Sequence, residues 1–256
     1  MAVENGWGQG AINNSNDYGK AKANSTNGFG KIYESTNAGL TNIAGSSGAA
    51  ALSQINNVHS MAFDGTFDFI DVGSTTITGS CSISLWFKTS SANLDNLLGG
   101  VTAINTAGGM FQYLMIQNNK LAVFLGSLGT INLYDEFVND NVWRNFVFTY
   151  DSTTSGGPSK GTIRAYVDGV LTKTIDMSSG NYNWSVQTLT TIGAYDGGSI
   201  RFFNGSMDEV ALWNVNLTAA EALSIYNATA VVDGVNKTAD LSQLTTPPVL
   251  WYRMGD

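Results

Sequence analysis

Residues 207–226 constrain the fold of this chain more than any other stretch, because they join a strand to a short capped helix. The first seven alternate as an extended strand does, with two aliphatic side chains on one face and an alanine and a tryptophan on the other. A helix is predicted near residues 218–227, because Thr218 and Glu221 have the spacing of a capping box. One short helix at the end of a β-rich region predicts an all-β domain.

The composition favours many short strands joined by turns of small residues. Only 12% of the 256 residues are charged and 29 are glycine, which fits short strands better than long solvated helices. The net charge is −8 with 12 lysines and arginines and no basic run. Nucleic acid is therefore excluded as a direct partner, because phosphate binding needs clustered cations. No stretch approaches the roughly 18 apolar residues of a membrane span, so no membrane association is predicted.

Neither a disulfide nor a secretion signal is evident. The one cysteine, Cys81, lies in the strand-like segment 80–83 and is predicted to be a buried or half-buried thiol. Residues 1–5 lack the basic and apolar regions that begin a signal peptide. We therefore expect a protein without disulfides that is made without an export signal.

An eleven-residue repeat precedes the β-rich region. Trp7, Tyr18 and Phe29 are eleven residues apart, and each has asparagine two residues before it and glycine directly after it. The glycines disfavour a helix, and residues 1–45 hold too few other apolar side chains to form a core. We predict that residues 1–45 form an arm whose three aromatic side chains dock onto another protein. A flexible low-complexity leader is the alternative.

Three motifs resemble the laminin-G-like (concanavalin A-like) jelly-roll domain. They are the strand and helix of residues 207–226, the opening hairpin of residues 63–72 and the Tyr-Val-Asp-Gly-Val phrase of residues 166–170. The resemblance implies a two-sheet, all-β jelly-roll sandwich over residues 61–256, preceded by a linker over residues 46–60. Within it, the strand of residues 82–88 is predicted to turn Ile83, Leu85 and Phe87 to the core.

The end of the chain resembles the strand with which such domains usually begin. Residues 249–254 are largely apolar and follow a polar tail that ends in two prolines. An uncovered sheet edge invites aggregation. We therefore predict that residues 249–254 form a strand that closes the sheet, which leaves residues 1–45 available for anchoring.

Aromatic side chains opposite the predicted core supply the candidate ligand site. Trp86, Trp143, Arg164 and Tyr166 are predicted to lie on the strand faces that point away from the core. Carbohydrate binding is what the resemblance implies, and sugar rings pack well on aromatic faces beside hydrogen-bonding groups. These four residues are thus candidates for contacts with a glycan, although each also has a plain interpretation as a packing residue.

The resemblance also admits one structural Ca²⁺, held by Asp64 of the early turn and Asp208 of the late strand. Carboxylate oxygens suit this ion. Against it, an aspartate followed by glycine is also common turn chemistry. No other cofactor is expected.

No catalytic constellation is evident. Glycoside hydrolases of the resembling fold carry a Glu-x-Asp-x-x-Glu strand, which is absent here, and the neighbours Asp135 and Glu136 would point to opposite faces of a strand. Polysaccharide lyases of this fold use a histidine, and the one present, His59, precedes the first predicted strand and is interpreted as a surface or interface imidazole. We therefore predict a binding protein that is not an enzyme.

The N-terminal repeats resemble those of tailed-bacteriophage virion proteins, particularly proteins that join a short anchor to a laminin-G-like head. This implies a virion surface protein of capsid-decoration or head-fibre type, which contacts a capsid or tail protein through residues 1–45 and presents its head to host-surface polysaccharide. A homo-oligomer is compatible with that role. The alternatives are a tail-fibre or other receptor-binding appendage, and a bacterial carbohydrate-binding module or adhesin, which would require an export signal.

Overall fold

The computed structural model describes most of the chain from residue 52 onward. The described residues are 32–33, 40–41, 52–92, 95–99, 114–124, 129–153, 161–177, 186–195, 200–232 and 235–254. Trp7, Tyr18 and Phe29, on which the predicted docking role of residues 1–45 depends, lie outside the described residues.

The described elements are short strands, one α-helix and a short 3-10 helix at Leu241–Gln243. In chain order they are β1 (Ile32–Tyr33), β2 (Leu40–Thr41), β3 (Gln54–Asn56), β4 (Met61–Asp64), β5 (Ile70–Thr78), β6 (Cys81–Lys88), β7 (Asp95–Gly99), β8 (Leu114–Gln117), β9 (Lys120–Phe124), β10 (Thr130–Asn132), β11 (Arg144–Asp151), β12 (Thr162–Val167), β13 (Val170–Asp176), β14 (Val186–Ile192), β15 (Asn204–Trp213), α1 (Ala219–Asn227), β16 (Ala230–Val232), β17 (Val235–Ala239) and β18 (Leu250–Tyr252). No helix in the described part of the chain combines the length and the apolar run needed to cross a membrane.

Two antiparallel sheets face each other. The seven-stranded sheet runs β13-β12-β11-β6-β15-β18, and β4 pairs with the first half of β15 while β18 pairs with its second half. The six-stranded sheet runs β10-β9-β8-β7-β14-β5. Strands that are distant in sequence are neighbours in both sheets, which is the jelly-roll arrangement that the sequence predicts.

The space between the sheets holds the main core. Ile83, Leu85 and Phe87 of β6 point into it and are at most 1% exposed, as their alternation predicts. Cys81 lies in the same core without exposed surface, and burial raises the pKa of its thiol well above the ordinary value. Removing this much apolar surface from water is the main force that holds the sheets together.

The outer face of the seven-stranded sheet is covered along part of its width. Tyr166 and Trp213 lie there beneath Ala222 and Ile225 of α1 and form a second apolar cluster with side chains of the C-terminal segment. The indole N–H of Trp213 donates to the carbonyl oxygen of Thr246 at 3.0 Å. This cover explains why tyrosine and tryptophan occur on a strand face that points away from the main core.

Local signals in the sequence form as predicted. The backbone N–H of Glu221 donates to the Thr218 hydroxyl at 3.2 Å, and the N–H of Thr218 donates to the Glu221 carboxylate at 2.8 Å, which completes the capping box before α1. In the turn between β12 and β13, Asp168 and Gly169 have φ of 51° and 75°. A two-residue hairpin turn needs this left-handed pair.

A third, small sheet lies beside the sandwich. It has the order β16-β17-β3, so a strand from residues 54–56 pairs with one from residues 235–239. The segment between β3 and β4 is thereby fixed against the outer face of the seven-stranded sheet, where the sequence predicts a linker.

Candidate functional site

The uncovered part of the outer face forms the floor of a cleft. Trp86 of β6 lies opposite Asp208 of β15 in the pairing of the two strands. Ser60, directly before β4, lies beside them. Alternation along each strand therefore brings an indole, a carboxylate and a hydroxyl to one surface.

The small sheet supplies the wall of this cleft. The backbone N–H of Asn57 donates to the carbonyl oxygen of Asn236 at 2.9 Å, and the ammonium of Lys237 donates to the side-chain oxygen of Asn56. The guanidinium of Arg253, which follows β18, donates to the carbonyl oxygen of Asn56 at 2.6 Å. The C-terminal strand thus helps to hold the wall in place.

The cleft has a volume of about 320 Å³. Its lining residues are Asn57, Val58, His59, Ser60, Trp86, Trp143, Asp208, Thr229, Ala230, Asn236 and Lys237. Two indoles are combined here with amide, hydroxyl, imidazole, ammonium and carboxylate groups. Ligand sites are typically of this kind, apolar over much of their surface with a few convergent polar groups.

Both indoles are held by neighbouring side chains. The ring of Trp86 stacks on that of Tyr226 from α1, with centroids 6.0 Å apart and an interplanar angle of 22°. The ammonium of Lys88 lies 5.1 Å from the centre of the Trp143 ring. Such contacts are each worth about 0.5–1.5 kcal/mol and restrict the orientation of the ring.

A bulge in β15 accounts for two consecutive acidic residues at this site. The pairing of β15 with β6 shifts between Asp208 and Ala211, and Glu209 within the bulge has a φ of 51°. Asp208 lines the cleft, whereas the Glu209 carboxylate accepts a hydrogen bond from the indole N–H of Trp251 at 2.5 Å. A regular strand would have turned the two carboxylates to opposite faces.

Burial dominates the ionisation of Glu209. The residue is 3% exposed, and desolvation raises the pKa of its carboxyl to about 7, with a smaller contribution from the neighbouring Asp208. The indole of Trp251 and the guanidinium of Arg253, 3.5 Å from the carboxylate, oppose this rise. Glu209 therefore joins the C-terminal strand to the edge of the cleft.

Of the four predicted glycan contacts, the structure brings two to the cleft. Trp86 and Trp143 line it. Tyr166 lies on the same sheet face but beneath α1, at 3% exposure, so its ring is not available to a ligand. Arg164, two residues before Tyr166 on β12, is half-buried and is not among the lining residues.

The predicted pairing of Asp64 and Asp208 around one Ca²⁺ is not supported by their positions. Asp64 pairs with Asn204, four residues before Asp208 on β15, which corresponds to about 13 Å along the strand. Calcium binds oxygen at about 2.3–2.6 Å, so a shared ion would require both carboxylates to reach one point from these separated positions. One carboxylate oxygen of Asp64 instead accepts the backbone N–H groups of Thr66 and Phe67, at 2.7 and 3.1 Å.

No described group of three or more histidine, cysteine, aspartate or glutamate side chains is arranged to hold a metal ion.

Sequence reasoning missed the wall of the cleft. Residues 57–60, within the predicted linker, line it, and they include His59, the predicted surface or interface imidazole. Asn236 and Lys237 come from the opposite end of the chain, and no local pattern predicts that they meet residues 57–60. The only signal is the run of apolar and β-branched residues around 230–239, which is typical of strands.

Comparison with known proteins identifies the family. The sequence profile of the concanavalin A-like lectin/glucanases superfamily, in its laminin-G form, matches residues 64–222. The chain is 32% identical to the adhesin BmaC autotransporter of Brucella suis biovar 1 (strain 1330), over 41% of this chain and 4% of that protein. The match thus spans about one twenty-fifth of the length of that relative.

Solved structures of low sequence identity resemble the chain, and the pentraxin supports the fold. The native heptameric SAP-like pentraxin of Limulus polyphemus has a TM-score of 0.50 and 11% identity, over 70% of this chain and 83% of that chain. The CBM40 of a Ruminococcus gnavus sialidase, bound to α2,3 sialyllactose, has a TM-score of 0.49 and 14% identity, over 69% and 100% of the two chains. At such identities the likeness concerns the fold alone. With the profile match over more than half of its length, the chain belongs to the concanavalin A-like lectin/glucanases superfamily.

Proposed function

We propose that the chain is a non-catalytic, glycan-binding module and that the cleft at Trp86, Trp143 and Asp208 is its binding site. The observation that carries this proposal is the convergence of two indoles and a carboxylate in one cavity of about 320 Å³. An indole offers a flat apolar surface to the C–H face of a sugar ring, and the carboxylate and nearby amides accept or donate hydrogen bonds at its hydroxyl groups.

The arrangement of acidic groups favours binding over catalysis. Glycoside hydrolysis needs two carboxyl groups on either side of the scissile bond, roughly 5–9.5 Å apart. Asp208 is the one carboxylate among the described lining residues. Glu209, its neighbour, is buried against Trp251 and Arg253. The described part of the cleft therefore offers a single acid where hydrolysis would need a pair.

The test is a glycan-binding assay on multivalent particles. Single sites of this kind are weak, so biotinylated protein should be assembled on streptavidin to raise avidity. Trp86→Ala and Trp143→Ala should each weaken binding roughly tenfold, which corresponds to about 1.4 kcal/mol per site. Phe67→Ala is the matched control, because Phe67 is an aromatic residue at 76% exposure that does not line the cleft.

Glycan binding that is unchanged in both tryptophan variants would contradict the assignment of the cleft. Release of reducing sugar from a bound polysaccharide, abolished by Asp208→Asn, would contradict the non-catalytic role.

For the setting in which the module is displayed, we retain the virion surface. The support is the eleven-residue repeat of Trp7, Tyr18 and Phe29. It fits an arm, residues 1–45, that joins the head to a capsid or tail protein. Deletion of residues 1–45 should leave a folded head that is absent from purified particles. Normal incorporation of the truncated protein would contradict this role.

A bacterial adhesin is the second candidate, and the Brucella relative favours it. That relative is named an adhesin, and its matching stretch covers 41% of this chain. Detection of the native protein on the outside of bacterial cells, in the absence of phage particles, would favour this setting. None of the relatives described above is a virion protein.

A further inference from the structure

Several basic side chains lie around the cleft of an acidic protein. The protein has a net charge of −8, with 12 lysines and arginines and one histidine among 256 residues. That histidine, His59, and Lys237 both line the cleft, and Lys88 lies over the ring of Trp143. The guanidinium of Arg253 contacts the wall at Asn56. Cationic side chains gathered at the cleft of an acidic protein favour an anionic ligand at that site.

The nearby acidic groups lie deeper than the cations. Asp208 is 5% exposed and Glu209 is 3% exposed, and Glu209 is already contacted by Trp251 and Arg253. His59 is exposed and Lys237 is half-buried. Among the described side chains of the cleft, Lys237 thus supplies positive charge at the wall, whereas the negative charge belongs to the floor.

Lys237 keeps donors for a ligand. An ammonium group carries three N–H donors, and the hydrogen bond to the side chain of Asn56 uses one of them. That bond also restricts the lysine side chain, so less side-chain entropy is lost when a ligand binds.

We infer that the cleft selects acidic glycans over neutral ones of the same backbone. This rests on the proposed glycan-binding function and adds the class of ligand. The sugar ring lies against Trp86 with hydroxyl groups directed to Asp208, and its carboxylate or sulfate group lies at the wall, near Lys237 and His59. The carboxylate at the floor accepts from hydroxyl groups, so it does not require a cationic ligand.

The experiment compares polymers that differ in charge alone. Streptavidin-assembled protein is tested on immobilised polygalacturonate, hyaluronan and polysialic acid, each beside its carboxyl-reduced form, and on dextran sulfate beside dextran. At least one acidic member should bind about tenfold better than its uncharged partner, because charge-assisted hydrogen bonds are about twice as strong as neutral ones. Added salt should weaken the acidic member more than the neutral one.

Two lysine variants distinguish site binding from general attraction to a polyanion. Lys237→Gln should weaken binding of the acidic polymer by a larger factor than binding of its uncharged partner, which removes most of the preference. Lys173→Gln on β13, at the opposite edge of the seven-stranded sheet, removes the same charge and should have no effect. Equal effects of the two variants would overturn the inference, as would acidic binding that survives Trp86→Ala.

The outcomes separate this inference from the proposed function. If uncharged polymers bind as well as their acidic partners and Trp86→Ala abolishes both, the acidic preference is wrong and the glycan site stands. If no polymer binds in any form, both are wrong.

Discussion

The two halves of one sheet face differ in what covers them. Near Tyr166 and Trp213 the outer face of the seven-stranded sheet lies under α1 and the C-terminal segment, and both side chains are at most 3% exposed. Near Trp86 and Trp143 the same face is bordered by the small sheet but left accessible, and both residues are half-buried. Equivalent aromatic residues thus serve packing in one half and form a cleft in the other.

This difference shows what alternation in a sequence does and does not specify. Period-two alternation states which face of a sheet a side chain occupies. Whether that face is then covered depends on elements far away in sequence, here α1 and the strands β3 and β17. A covered aromatic should matter for stability, and an accessible one should matter for binding.

The largest expected effect comes from removing the strand that separates the covered half from solvent. Truncation after Thr246 deletes β18, which pairs with residues 210–212, and leaves Glu209 buried without Trp251 and Arg253. The lost strand pairing and the lost apolar contacts together should lower the free energy of unfolding by about 5 kcal/mol. Urea denaturation measures this. Truncation after Met254 retains β18 and should be close to neutral.

The next effect compares one tryptophan from each half. Trp213→Ala should lower the free energy of unfolding by about 3–5 kcal/mol, because a fully buried indole and its hydrogen bond to Thr246 are lost. Trp86→Ala should cost less than about 1.5 kcal/mol, because its ring is half-buried. Equal losses in the two variants would show that the cleft half is as tightly packed as the covered half.

Much of the fold, but less of the site, could be predicted from the sequence. The alternation of residues 82–88, the capping box at Thr218 and the apolar end of the chain each depend on local patterns, and each forms in the structure as expected. Alternation does not predict the bulge at Glu209, because it assumes a regular strand in which consecutive residues point to opposite faces. The wall of the cleft was missed because it depends on β3 pairing with β17, far apart along the chain.

Glu209, at the boundary between the covered and the accessible halves of the sheet face, should also make the free energy of unfolding depend on pH. Burial favours the neutral form of Glu209, and its pKa in the folded protein, about 7, lies above the ordinary value of 4.5. The folded state therefore holds the proton more tightly than the unfolded chain. The stabilisation from this group is complete below pH 4.5 and is lost as the pH rises through about 7, by an amount on the order of 3 kcal/mol.

Urea denaturation on either side of this pH window tests the expectation. Glu209→Gln keeps an acceptor for Trp251 but cannot ionise, so the loss of stability across the window should shrink. Glu136→Gln, at an exposed position, should retain the dependence of the parent protein. If Glu209→Gln retains it as well, another group is responsible and Glu209 is not the titrating link between the halves.

The smallest expected effect concerns calcium at the accessible half. Asp64 pairs with Asn204, which lies about 13 Å from Asp208 along β15. The Asp64 carboxylate already accepts a backbone N–H of its own turn. A chelator should therefore change the free energy of unfolding by less than about 0.5 kcal/mol, whereas an ion present at 100 times its Kd would contribute about 2.7 kcal/mol. Thermal denaturation with added calcium and then with chelator separates these values. A loss near the larger value that disappears in Asp208→Asn, but not in Asp71→Asn on β5 of the six-stranded sheet, would establish a calcium site at the floor of the cleft and would make the ion part of ligand binding.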